Sequence, residues 1–269
     1  AGRGAEALAT WQHLSEEAAT PFERGEALWL LASLAARIGE DQRYQDALVT
    51  LVRDYPWHRR ALESLDQPQQ APAPALTAAE RGTVLFNHGL DDQAKETFQD
   101  ALEQDTSPEE QATSHFYLAL LAERDGQPDD ALEEYEAALA DLEGEEEDGL
   151  FAEAAWERAL LLETLDRAEE AVAAYTALAD ATPDSTQAPE ALFHAGLLRY
   201  RQGRPADALS HWTRYLEAAP EAETARARFW LAEAALATGD TASADIHLSE
   251  AAAVAPWDYF GLRARALLE

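Results

Sequence analysis

One pattern recurs five times along the chain and constrains the fold more than any other feature. Each copy starts with a glycine, or with an aspartate in one case, followed five residues later by an alanine. A large side chain, aromatic in four of the copies, follows four residues after that alanine. The copies start at Gly89, Gly126, Asp166, Gly203 and Gly239; their alanines are Ala94, Ala131, Ala171, Ala208 and Ala244, and their large residues are Phe98, Tyr135, Tyr175, Trp212 and Leu248.

Each part of the pattern has a role in a helical hairpin. The glycine ends one helix and permits a tight turn into the next. The small alanine lets two antiparallel helices approach closely, and the large residue on the same face fills the groove between repeats. Pro183, Pro220 and Pro256 then stop the second helix of the last three copies. One such hairpin cannot bury its apolar side alone, so the hairpins must stack.

The spacing and residue types resemble those of tetratricopeptide repeats (TPRs). We therefore predict an all-α fold, one continuous right-handed α-solenoid of about twelve to fourteen helices. The predicted parts are degenerate helical repeats in 1–66, a proline-rich loop or linker in 67–77, TPR-like repeats in 78–256, and an aromatic cap with a helix in 257–269. A degenerate hairpin is expected from Gly25 through the turn at Gly39 to Tyr55 and Pro56.

Two irregular stretches interrupt the repeats. Residues 66–77 hold three prolines in a short polar run, which favours either an interdomain linker or a long inter-repeat loop. We favour the loop, because helical repeats resume on both sides. Residues 144–149, GEEEDG, are acidic like a calcium-binding loop, but they lack the alternating oxygen ligands of such loops. A solvated turn is therefore the stronger prediction.

The charge of the chain restricts its partners. It has 52 acidic against 20 basic residues, a net charge of −32. Such a polyanion repels nucleic acid and anionic lipid, so we expect neither as a partner. The acidity indicates either a solubilising surface or a cationic partner. No apolar run is long enough to span a membrane, and the first residues do not have the form of a signal peptide, although an earlier removal would leave the same sequence.

A stripe of aromatic residues lies ten residues before each turn, on the first helix of each hairpin. Its members are Trp29, Phe116, Trp156, Phe193 and Phe229. Later on the same helices come the residues Glu123, Arg124, Glu163, Tyr200, Arg201 and Glu233. In TPR-like arrays this position faces the concave groove, where aromatic rings flanked by Arg and Glu grip an extended peptide or a glycan. The alternative is that the rings are core, because apolar residues at repeat spacing are usually buried.

The chain carries no pattern typical of catalysis or of metal and cofactor binding. There is no cysteine, and none of the seven histidines lies three or four residues from another. His58 belongs to a small basic cluster that the start of a helix after Pro56 explains. Phosphate-binding glycine loops and the GxSxG elbow are absent from the sequence. We therefore predict no enzyme activity, no metal and no cofactor.

Two stretches have a more specific resemblance. Residues 76–98 and 226–268 resemble helical units of soluble lytic murein transglycosylases, and Pro256 followed by Tyr259-Phe260-Gly261-Leu262-Arg263-Ala264 matches the end of that superhelical region. The resemblance implies an extracytoplasmic location in the cell envelope. It also implies catalysis in a separate domain, from a glutamate in a Glu-Ser pair. Glu63-Ser64 is such a pair, but it ends a repeat helix and no Gly-Leu-Met-Gln-like run follows, so we do not transfer the role.

The prediction is thus a non-enzymatic scaffold or binding module whose partner is a protein or peptidoglycan. The alternative is a stand-alone TPR adaptor that binds a peptide or assembles a larger complex. The last residues are expected to close the array. Tyr259 and Phe260 would seal its apolar end, while Arg263 and Arg265 would face the acidic repeats or the C-terminal end of their own helix.

Overall fold

The computed structural model describes residues 2–65, 76–104, 106–144 and 149–269. It divides into two compact units, residues 1–141 and 142–269. All regular elements of the described residues are helical, which confirms the predicted all-α fold of the solenoid class. The predicted linker at 67–77 falls almost wholly outside the described residues, as does the acidic run at 145–148.

The first unit is built from eight helices. In chain order they are α1 (Gly2–Glu17), α2 (Pro21–Ile38), α3 (Asp41–Asp54), α4 (Arg59–Leu65), α5 (Ala78–Asn87), α6 (Asp91–Leu102), α7 (Pro108–Arg124) and α8 (Pro128–Asp141). The pairs α1–α2, α2–α3, α5–α6 and α7–α8 pack as neighbours. The degenerate hairpin expected around Gly39 is α2–α3, and α4 starts just after His58, as predicted.

The second unit continues the same pattern. Its helices are α9 (Gly149–Thr164), α10 (Ala168–Ala181), α11 (Ala188–Arg201), α12 (Pro205–Ala218), a 3₁₀ turn (Glu221–Glu223), α13 (Thr224–Thr238), α14 (Thr241–Val254) and α15 (Tyr259–Leu268). Each of these α-helices packs against the next along the chain. Together with the first unit, the described residues form fifteen α-helices, slightly more than expected.

The turns between paired helices adopt the left-handed backbone that the repeat predicts. Gly39, Gly89, Gly126, Gly203 and Gly239 all have positive φ. Among the described residues, Asp166 is the only one other than glycine with a positive φ, which is 59°. The aspartate that stands in for glycine in the sequence pattern therefore takes the glycine conformation.

The recurring residues of the repeat form the core. The five recurring alanines are completely buried, as are Phe98, Tyr135, Tyr175 and Trp212, and Leu248 is nearly so. Glycines on the facing helices make room for two of the rings. A Cβ on Gly82 would lie 2.5 Å from Phe98, and a Cβ on Gly196 would lie 2.3 Å from Trp212. The hairpins therefore pack large side chains against small ones.

The C-terminal segment differs in one respect from its prediction. The Phe260 ring packs against Phe229, with ring centroids 5.6 Å apart, so it covers apolar surface as expected. Tyr259 is instead 66% exposed. One residue along a helix turns the side chain by about 100°, so the two neighbours cannot face the same surface. Arg265 donates a hydrogen bond to the carbonyl oxygen of Pro256, 3.4 Å away.

Candidate binding surface on the first helices

The predicted groove residues fall into three classes of exposure. Phe116 and Phe229 are buried in the core. Trp29, Trp156, Phe193 and Tyr200 are partly buried, and Arg201 is exposed. Two rings of this stripe are therefore core, and the others keep an accessible edge; that the accessible rings bind a ligand stays a prediction.

In the first unit the two predicted rings have separate surroundings. The guanidinium of Arg60 lies over the Trp29 ring, 5.3 Å from its centroid, and pairs with Glu26 at 3.1 Å. Phe116 instead contacts the rings of Tyr117 and Tyr135. Trp29 is thus covered by a cation at the surface, while Phe116 belongs to an internal aromatic cluster.

In the second unit three of the predicted residues come together around one tryptophan. The rings of Phe193, Tyr200 and Phe229 lie 6.0, 6.1 and 5.9 Å from that of Trp230. Trp230 is partly buried and was not among the predicted residues. The ten-residue offset selects its neighbour Phe229, which comes one position before Trp230 on this helix.

Trp156 and Arg201 converge on a second cluster, centred on the carboxylate of Glu163. Tyr175 donates its hydroxyl proton to Glu163 over 3.0 Å, and Nδ1 of His194 lies 2.9 Å from the same oxygen. Arg201 approaches the other oxygen at 3.8 Å. The Trp156 ring lies 5.5 Å from Tyr175 and 5.4 Å from His194.

One member of this cluster, Tyr175, is held in its protonated form. Burial, and after it the charge of Glu163, raise the pKa of Tyr175 far above its ordinary value. The Tyr175 hydroxyl therefore stays protonated and acts as the hydrogen-bond donor. Glu163 remains the acceptor, 19% exposed at its side chain, so one edge of the cluster is open to a ligand.

A third group links the two clusters. Arg226 lies over the Phe193 ring at 3.9 Å from the centroid and pairs with Glu190. Glu190 in turn lies 3.9 Å from Nε2 of His194. Glu163 on α9, Glu190 on α11 and Arg226 on α13 thus join the first helices of three successive hairpins.

Carboxylates recur on these three helices. Glu163 and Glu190 lie on α9 and α11, and on α13 the charge of Glu233, second to burial, raises the pKa of Tyr200. One carboxylate on each first helix, next to partly buried rings, can hydrogen-bond to backbone amides and attract cationic side chains. The arrangement suits binding of an extended chain.

The first unit repeats part of this chemistry. Tyr135 donates its hydroxyl proton to Glu123 over 2.6 Å, so a glutamate twelve residues before the buried tyrosine recurs in both units. His115 lies 2.6 Å from Glu134. The twelve-residue Glu–Tyr spacing was visible in the sequence, although prediction from the stripe alone did not use it.

Most Lys and Arg side chains contact a carboxylate from a neighbouring helix. Inter-helix pairs are Lys95–Asp125, Arg124–Asp91, Arg199–Glu169, Arg214–Asp180, Arg226–Glu190 and Arg228–Glu250. With 52 acidic and 20 basic residues, pairing leaves a large surplus of carboxylates. Across the described ranges, no three metal-ligating side chains gather as a metal site would need. Within those ranges no helix has the length and apolarity to cross a bilayer.

Comparisons with known proteins agree with this architecture. A family model described as tetratricopeptide repeat matches residues 80–146, 126–186 and 193–256, which is more than half of the chain. No curated protein matches at a significant level.

Three solved structures are similar to this chain, and the two with TM-scores of at least 0.50 illustrate the fold. The C-terminal part of a TPR repeat-containing protein from Cytophaga hutchinsonii is 13% identical, with a TM-score of 0.56 over 97% of this chain and 94% of that one. YrrB, described as a TPR protein with an unusual peptide-binding site, is 17% identical, with a TM-score of 0.50 over 78% and 97%. BtubC from P. vanneervenii is 17% identical, with a TM-score of 0.42 over 99% and 90%. At these identities the likeness concerns the fold alone.

Proposed function

Because the chain belongs to the tetratricopeptide repeat family, we propose that it is a non-enzymatic interaction scaffold whose second unit binds an extended basic segment of a partner protein. The observation that carries the proposal is the cluster around Glu163. There a carboxylate with an open edge is held by Tyr175 and His194, beside the partly buried Trp156.

The charge of the ligand follows from the charges of the surface. Each of α9, α11 and α13 contributes a carboxylate, and the chain as a whole has a net charge of −32. A basic segment is drawn to this surface at long range, whereas an acidic one is repelled. The aromatic edges supply the apolar contacts that a charged ligand alone would lack.

The test is selection from a phage-displayed library of random peptides, with binding of the selected peptides measured afterwards. We expect peptides rich in Arg and Lys, bound about tenfold more weakly by Glu163→Gln than by the wild type. Glutamine still accepts the Tyr175 hydrogen bond, so folding is preserved while the charge is lost. Glu217→Gln, an exposed change of the same charge on α12, is the matched control.

Two results would contradict this proposal. One is selection of acidic or purely apolar peptides. The other is equal affinity of the selected peptides for Glu163→Gln and for the wild type. A loss of affinity with Glu217→Gln equal to that with Glu163→Gln would likewise assign the effect to net charge rather than to the Glu163 cluster.

A second candidate function rests on the likeness of residues 76–98 and 226–268 to lytic transglycosylase helical units. Under this proposal the chain acts in the cell envelope and positions peptidoglycan or an enzyme that cleaves it. Cosedimentation with purified peptidoglycan sacculi, without release of soluble fragments, would support it. A chain that stays in the supernatant at every sacculus concentration would exclude peptidoglycan as the ligand.

A further inference from the structure

The last helix presents an aromatic face to solvent. Trp257 is 84% exposed, Tyr259 66% and Leu262 47%. We call these three residues the C-terminal face. An exposed apolar patch of this kind promotes association.

This face is held in place. Asp258 caps α15 by accepting a hydrogen bond of 2.7 Å from the backbone N–H of Gly261. A Cβ on Gly261 would lie 1.8 Å from the carbonyl oxygen of Ala255, so α15 is packed as closely as the backbone allows. The guanidinium of Arg265 lies 5.9 Å from the centroid of the Trp257 ring. The exposed side chains are therefore presented on α15 and, in the case of Trp257, just before it, on a fixed backbone, which lowers the entropic cost of docking.

An internal counterpart in the first unit indicates what covers such a face. Residues 56–62, PWHRRAL, align with residues 256–262, PWDYFGL, and both stretches lead into a short helix. In the first unit that helix, α4, contacts α5, and Leu62 packs against a cluster that contains Val84 of α5. Leu262 occupies the position of Leu62 but remains exposed. The face is thus complementary to another helix.

The helices of the first hairpin, α1 and α2, carry an apolar groove that suits this role. It is lined by Trp11, Leu14, Ala18, Ala19, Phe22, Glu23, Glu26, Ala27 and Leu30 and has a volume of about 440 Å³. Phe22 at its edge is 53% exposed. The Thr20 side chain and Glu23 form a reciprocal cap at the start of α2, which fixes this edge of the groove. We call this surface the N-terminal groove.

The charges beside the two surfaces are opposite. Arg263 and Arg265 flank the C-terminal face, whereas the N-terminal groove is lined by Glu23 and by Glu26, which is already paired with Arg60. Two C-terminal faces, or two grooves, would bring like charges together. Only the contact of a face with a groove joins apolar surface to apolar surface and cation to anion.

We propose that the C-terminal face of one copy docks into the N-terminal groove of a second copy, so that copies of this chain associate head to tail. The contact is heterologous, so a dimer keeps one free face and one free groove, and assembly continues into rings or filaments. The interaction is separate from the peptide surface around Glu163 and does not depend on it.

The first test is the mass of the protein in solution, measured by analytical ultracentrifugation over a range of concentrations. We expect species larger than the dimer at high concentration. Trp257→Asp and Phe22→Asp should each weaken association by on the order of tenfold or more, as loss of an aromatic anchor does. Ile246→Asp, at another exposed apolar position of the second unit, is the matched control and should associate as the wild type does.

Mixing the two variants separates the head-to-tail contact from a symmetric one. The Trp257→Asp copy keeps its groove and the Phe22→Asp copy keeps its face, so the mixture should form a 1:1 dimer and nothing larger. A symmetric contact predicts instead that one of the variants self-associates alone. Circular dichroism checks that both variants fold, which the high exposure of the two substituted residues favours.

The proposal is overturned if the wild type is a monomer at every concentration. That outcome would assign the C-terminal face to another occupant, such as a different protein or a further helical segment. It is also overturned if the mixture of variants stays monomeric although each variant is folded.

Discussion

At the scale of single residues, the structure depends on paired sizes across each hairpin. A small residue on the first helix comes sixteen positions before the large residue on the second. The pairs are Gly82–Phe98, Ala119–Tyr135, Ala159–Tyr175, Gly196–Trp212 and Ala232–Leu248. Because protein interiors are close-packed, a ring as large as that of Trp212 requires a partner without a Cβ.

Gly196→Ala tests this pairing. The added Cβ would lie 2.3 Å from Nε1 of Trp212, which is fully buried and donates to the carbonyl oxygen of Phe193. We expect a loss of about 1–3 kcal/mol in the free energy of unfolding, measured with urea, although alanine is the better helix former. Gly149→Ala is the control, because nothing lies within 4 Å of its added Cβ. Equal effects of the two substitutions would show that the glycine is not required by packing.

Asp166→Gly tests the one turn of the repeat pattern that has aspartate in place of glycine. The φ of Asp166 is 59°. A residue with a Cβ adopts this left-handed conformation at a free-energy cost that glycine does not have. We expect Asp166→Gly to raise the free energy of unfolding by about 0.5–1 kcal/mol. Gly203→Asp, at the equivalent turn, should lower it by a similar amount. A destabilising Asp166→Gly would mean that the aspartate side chain contributes more than the turn costs.

At the scale of elements, α4 and α15 are short helices that follow aligned stretches of sequence but have different N-terminal caps. Asp258 accepts the hydrogen bond from the backbone at the start of α15. At the start of α4 the acceptor is Nδ1 of His58, 3.2 Å from the backbone nitrogen of Arg60. His58 is 1% exposed, and its Nε2 lies 3.9 Å from Oε1 of Glu26, beyond hydrogen-bond distance. An acceptor role requires the neutral ring, so this cap depends on pH.

His58 should make folding weaker in mild acid. Burial lowers the pKa of His58 from 6.5; Glu26 opposes this shift, while Arg60 and Arg59 add to it. Below pH 6.5 the unfolded chain binds a proton at this residue that the folded chain does not, so stability falls as the pH drops towards the lower folded pKa. In His58→Asn, which keeps a side-chain acceptor, the melting temperature should fall less between neutral and mildly acidic pH. An unchanged slope would show that His58 is not responsible.

At the scale of the whole molecule, repulsion among carboxylates opposes compaction. The net charge is −32, and isolated surface ion pairs contribute little stability. We expect the melting temperature to rise when salt is added, because screening weakens the repulsion more than it weakens the pairs. Thermal unfolding followed by circular dichroism from low to physiological salt measures this. A melting temperature that falls with salt would assign the larger role to the inter-helix ion pairs.

Most of the helical architecture was predictable from the repeat. The turns at Gly126 and Gly203, the buried Ala131 and the buried Tyr135 all lie where the pattern placed them, because their spacing follows from helix geometry alone. The candidate site was predictable only in part. Trp156, Glu163 and Arg201 were named, but their meeting with His194 depends on contacts between different hairpins.

The sequence by itself determined the all-α fold, the hairpin register and the membership of the core, since periodicity and residue size are properties of the chain. Tertiary structure alone decided which rings of the aromatic stripe stay accessible. Phe116 is buried while Trp156 keeps an edge, because exposure depends on what a neighbouring helix places over each ring. It also decided that Phe260 packs inward and Tyr259 outward, since α15 has one side to bury and two adjacent rings to place.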